Sequence, residues 1–134
     1  MDRRLRNQRG VVVLEFILIL PILLFVLFAS VELSRAWFSM NLLTTAAREA
    51  ARTGVVSAPD AVQTAATARL TALLGPSGQP PLNWNATVTC NPAPCAPDSQ
   101  LQVNVTATFQ TLFPVLLPML SSVPLQQTAS MRYE

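Results

Sequence analysis

The chain has 134 residues, 51% hydrophobic and 12% charged, with 11 Pro, 2 Cys, no His and no Lys, which allows one small domain plus an anchor. Arg3, Arg4, Arg6 and Arg9 against Asp2 give the first ten residues a net +3, whereas residues 11–134 carry five Arg and six acids. That balance argues against a nucleic-acid-binding body. The lack of His removes the commonest general base, and two Cys cannot complete a four-ligand zinc site, so neither an enzyme nor a metal or other cofactor is expected.

Between Glu15 and Glu32 lie sixteen residues in which only Pro21 and Ser30 interrupt Ile, Leu, Phe, Val and Ala. With Val11 to Glu15 added, 21 residues make a helix of roughly 31 Å, close to the hydrocarbon thickness of a bilayer. The basic leader precedes it directly, so the N-terminus is expected on the cytoplasmic side and the C-terminus outside. Three fates compete for such a segment. A cleaved secretory signal fits poorly, because cleavage after Ala29 would place Leu27 at −3, where a small residue is required. An uncleaved single-pass anchor and a segment processed on its cytoplasmic side remain.

Glu15 separates these two. A carboxylate in an apolar stretch costs on the order of 2–3 kcal/mol at mid-membrane, and less near the interface, where its side chain reaches headgroup water. Here it sits five residues after Gly10, in the string R-G-V-V-V-L-E-F. That string resembles the processing site of type IV prepilins, in particular the type IVb pilins and pseudopilins of tight-adherence (Tad, or Flp) systems. The runs L-P-I-L-L-F, E-L-S-R-A-W-F and T-T-A-A-R-E-A-A-R are similar to the TadE-like family of minor pilins. The resemblance covers residues 9–53; the family often has Phe-Gly after its second Glu, where this chain has Leu33-Ser34.

The resemblance implies a cut by prepilin peptidase between Gly10 and Val11, with Glu15 as the fifth mature residue and Phe16 as the aromatic that follows it. Gly10 would let the backbone enter the protease cleft in extended form. Cleavage creates an amine at Val11 that is largely protonated at neutral pH. Glu15 of one subunit and Val11 of a neighbour can then relieve each other's charge in a filament. The implied partners are the peptidase, the inner-membrane pilus assembly platform, the major pilin and a sister pseudopilin, and the implied roles are pilus assembly, surface adhesion and biofilm formation.

Pro21 should kink or loosen the helix near Ile17, as tolerated in membrane helices or as a hinge. Beyond Val31 the helical period places Leu33, Trp37, Met40, Thr44, Ala47, Ala51 and Gly54 along one stripe. Glu32/Arg35 and Glu49/Arg52 read as i,i+3 pairs. Ala46, Ala47, Ala50 and Ala51 make the stem thin, so other elements can approach closely. One helix is expected from about Val11 to Thr53.

Ser57, with Asp60 three positions on, predicts the cap of a second helix ended by Gly75. Residues 75–81 read as a turn-rich connector. Period-two alternation then predicts strands over 84–90, 101–109 and 125–132. Cys90 and Cys95 flank N-P-A-P, and outside the cytoplasm a disulfide closing that hairpin loop is expected. The apolar segment 112–120 is nine residues long with two Pro, too short to span a bilayer. It reads either as a crossover packed on the stem or as an exposed contact for neighbouring subunits.

The expected fold is α+β and pilin-like: a long N-terminal helix, a second helix and a small antiparallel sheet. The expected organisation is a leader at 1–10, a transmembrane segment at 11–31, an amphipathic stem at 32–56 and an extracytoplasmic head at 57–134. The competing architecture is an unprocessed single-pass membrane protein with an outer binding or assembly domain.

Overall fold

The computed structural model describes the backbone of residues 3–78, 82–112 and 122–132, and side chains within those ranges from residue 11 onward. Helix α1 spans Arg3–Val55 and helix α2 Val62–Leu74. Strands β1 (Leu82–Asn91), β2 (Gln100–Gln110) and β3 (Ser122–Arg132) form one antiparallel sheet in the order β1-β2-β3. The α+β architecture expected from the sequence is the one observed. Two compact units divide the chain, Met1–Arg35 and Ala36–Glu134.

The first unit contains the apolar part of α1. The helix already starts at Arg3, eight residues before the expected start at Val11. Arg, Leu and Gln in the leader are good helix formers, and Gly10 alone costs only about 1 kcal/mol relative to Ala. Pro21 lies within the helix without ending it. Ser30 Oγ donates to the Val26 carbonyl and Ser34 Oγ to the Ser30 carbonyl, each at 2.8 Å, so both hydroxyls are satisfied within the helix. Glu32 is buried and accepts from Arg35 Nη1 at 3.1 Å, as the i,i+3 spacing predicts.

In the second unit the rest of α1 packs with α2 and the sheet. Its buried side chains are Leu43, Ala46, Ala47, Ala50 and Ala51, joined by Val62, Ala66 and Leu70 from α2. The four alanines are at most 1% exposed. Their short side chains let neighbouring elements come close to the helix backbone, so the thin stem is where the core forms. Leu33 and Trp37, part of the expected stripe, are instead 71% exposed. Periodicity identifies a face but not what covers it, and the buried face of α1 becomes continuous only from Leu43.

Gly54 is a point of close approach. A Cβ there would lie 2.6 Å from Leu101 Cδ2 and 3.5 Å from Val62 Cγ1. Leu101 is fully buried and has little room to yield. Gly54→Ala gains roughly 1 kcal/mol of helix propensity but incurs overpacking of about 1–3 kcal/mol. The expected net result is a chain up to about 2 kcal/mol less stable, read as a lower midpoint in chemical denaturation of the detergent-solubilised protein.

The start of α2 departs from the reading above. Ser57 Oγ donates back to the Thr53 carbonyl at 2.7 Å, so it finishes α1 rather than capping α2. The helix begins at Val62 with Ala61 as its N-cap and no side-chain cap bond, leaving Asp60 in the preceding turn. The other end is as expected. Gly75 has φ 82°, a conformation that favours glycine, and its N–H donates to the Thr71 carbonyl at 3.0 Å. The Gly75 carbonyl in turn accepts from Trp84 Nε1 at 3.0 Å, tying α2 to β1.

A second correction concerns Glu49. Its Oε1 accepts from Arg69 Nη2 of α2 at 3.1 Å, in place of the expected i,i+3 partner Arg52. Both side chains are about 40% exposed, so the bridge contributes at most about 1 kcal/mol and chiefly fixes the helix pair.

The strands run somewhat longer than their alternation predicts, and β3 begins three residues earlier, at Ser122. Leu101, Val103, Val105, Ala107 and Phe109 of β2 point into the core. The register sets Val103 between Val88 and Ala129, and Ala107 between Trp84 and Leu125. Across its middle the outward face carries the uncharged Asn83, Asn85, Thr87 and Thr89 on β1, Gln102, Asn104, Thr106 and Thr108 on β2, and Gln126, Thr128 and Ser130 on β3, and the same alternation ends on Arg132. At the hairpin end of the sheet Cys90 and Cys95 form a disulfide with a Cα–Cα distance of 5.2 Å. Arg132 Nη2 donates to Asp98 Oδ1 at 2.7 Å nearby, largely in solvent. Of the apolar segment 112–120, residues 113–120 lie outside the described residues.

Candidate functional site

Residues 11–27 of α1 present Val, Leu, Ile and Phe around the whole helix circumference. Val11, Val12, Val13, Leu14, Phe16 and Ile17 are each more than half exposed, and exposed apolar residues recur through Leu27. An uninterrupted apolar surface of this kind needs a cover of lipid or other apolar chains. The helix is long and apolar enough to cross a membrane.

Glu15 stands on this surface, one helical turn after Val11 and on the same face. Among the described residues no ion pair engages it: the three bridges join Glu32 to Arg35, Glu49 to Arg69, and Asp98 to Arg132. An unpaired carboxylate at such a place draws its solvation from water or headgroups until another charge arrives. Phe16, the next residue, is 61% exposed and projects from the adjacent face. Gly10 lies within α1, so the Gly10–Val11 bond is helical in the full-length chain. The side chains of Arg3, Arg4, Arg6 and Arg9 lie outside the described residues, although their backbone continues the helix.

The comparison with known families falls on this segment. Residues 10–52 match the family of TadE-like proteins. This segment is similar to TadE-like proteins. No curated protein and no solved structure matches the chain. The TadE-like segment begins at Gly10, takes in Glu15 and the apolar surface, and ends among the buried alanines of the second unit.

The remaining candidate residues lie elsewhere. The Cys90–Cys95 bridge belongs to the β1–β2 connection, far along the sequence from Glu15. Sequence reasoning missed the Glu49–Arg69 bridge and the buried face of α2, Val62, Ala66 and Leu70. The i,i+4 spacing of those three apolar residues is the signal that would have found that face. Among the described residues no group of three potential metal ligands comes together.

Proposed function

We propose that the chain is a minor pilin or pseudopilin of a Tad-type (type IVb) pilus, anchored by α1 in the bacterial inner membrane with its C-terminus outside the cytoplasm. Prepilin peptidase cuts between Gly10 and Val11, on the side where the basic leader is retained. The new Val11 amine and the Glu15 carboxylate then lie one turn apart on each subunit. Each offers a neighbour the complementary charge, and pairing removes the penalty that either group carries alone in hydrocarbon. The assembly platform, the major pilin and a sister pseudopilin are the partners, and the product takes part in pilus assembly, adhesion and biofilm formation. No catalytic role is assigned to the chain itself.

The observation that carries this reading is Glu15: a carboxylate on a fully apolar helix surface, without an ion-pair partner among the described residues, five positions after Gly10 in the TadE-like segment. The continuity of α1 through Gly10 favours a second reading, an anchor that is never cut. Intact-mass measurement in cells with and without prepilin peptidase decides between them. A peptidase-dependent loss of residues 1–10 is the expected result, and a full-length chain in both strains would establish the uncut anchor.

A further inference from the structure

We propose that a hollow on the outward face of the sheet binds a neutral glycan chain, seating one or two of its sugar rings. Every residue involved belongs to the second unit and none to the TadE-like segment, so the site does not depend on the pilin reading above. The hollow has a volume of about 380 Å³ and crosses all three strands. The register sets its walls in two rows, Asn85, Thr106 and Gln126 in one and Asn83, Thr108 and Pro124 in the next. With strands about 4.8 Å apart, each row is about 10 Å wide. The volume lies at the small end of ligand sites, which suits one or two rings.

The lining decides the class of ligand. Each carboxamide offers two N–H donors and a carbonyl acceptor, and each Thr hydroxyl donates and accepts, the same two-way chemistry as a sugar hydroxyl. The Pro124 ring and the Thr methyls add apolar contact for the C–H face of a pyranose. Gln126 Nε2 donates to Asn104 Oδ1 at 3.3 Å, which steadies the amide and leaves its carbonyl for a ligand. No residue lining the hollow is charged, so an anion would stay uncompensated and a nucleic acid would find no cation for its phosphates. An apolar ligand would leave the carboxamides unpaired. A peptide strand pairs at an open sheet edge, whereas this hollow lies on the face, where side chains and not backbone groups are presented. A neutral polyol meets all of these conditions.

The side-chain amide resonances of the full chain test this, in a zwitterionic detergent without a sugar headgroup. Cellotetraose, maltotetraose, mannotetraose and chitotetraose are titrated in turn, with tetragalacturonate as the charged counterpart. At least one neutral tetrasaccharide should shift the Asn83, Asn85 and Gln126 amides saturably and leave those of Gln100 and Gln102, toward the other end of the sheet, in place. Asn85→Ala and Gln126→Ala, both at exposed sites, should each weaken that binding about tenfold, and Ser130→Ala should not. The same spectra show that each variant keeps its fold. The matching free monosaccharide should bind several-fold more weakly; equal affinity would overturn the glycan chain in favour of a single sugar. Absence of a shift with all four neutral sugars, a shift that survives both Ala variants, or equal binding of tetragalacturonate overturns the site.

Discussion

A chain carrying Glu15→Leu should reach the membrane in normal amounts and be missing from sheared pili. The substitution removes a charge from an apolar surface, so insertion becomes easier, by on the order of 2–3 kcal/mol on the insertion scale for a central position. Incorporation depends on the reverse step, in which the subunit leaves lipid for a filament. There the Val11 amine of a neighbour would be stranded in an apolar surround without its counter-ion. Stranding one partner of a desolvated pair costs about 3–5 kcal/mol, which corresponds to a hundredfold or greater loss in incorporation. Immunoblots of membrane and sheared-fibre fractions measure both steps. Normal amounts of the Leu variant in fibres would remove Glu15 from the assembly mechanism.

Ala50→Leu should do the largest damage to the second unit. Ala50 is fully buried, beside three further alanines on the face of α1 that receives the sheet and α2. A Leu side chain adds three carbons where no space exists, and several elements would have to shift together. Overpacking of this size costs about 1–3 kcal/mol or more, a large share of the stability of a small domain. The same change at Arg48, exposed two residues earlier, should be nearly silent. Limited proteolysis of both variants in detergent, followed as cleavage between α2 and β1, provides the comparison.

The parts of the fold that are linear in sequence are those the residues make legible. The apolar stretch of α1, its length and the position of Glu15 within it are properties of consecutive residues. Alternation located β2 closely, because Leu101, Val103, Val105, Ala107 and Phe109 face one core while Gln and Thr face outward. Gly75 ended α2 as its conformation requires. The misreadings arise where a residue has two chemically sound partners. Ser57 can cap forward or bond backward, and the Thr53 carbonyl takes it. Glu49 can pair within its helix or with Arg69, twenty residues on, and only the packing of α1 with α2 decides.

The candidate site is a different case. Glu15, Phe16 and Gly10 were legible as a motif, and the family comparison falls on the same segment. Their function, however, lies between molecules. On the proposed reading one chain supplies half of the charge pair, and its other half exists only after a peptide bond is broken. The exposed Trp37 shows the same limit in the stem: helical spacing marks a face without saying what covers it.

The outward face of the sheet carries a consequence for handling and for contact. Across its middle it offers only carboxamides and hydroxyls, while its charges gather at the end where Arg132 meets Asp98, so dissolved salt, which screens ionic attraction over about 8–10 Å, acts at that end and not on the middle. A contact made on the middle of that face would rest on hydrogen bonds and fit, and would yield to solvents that compete for those bonds sooner than to brine.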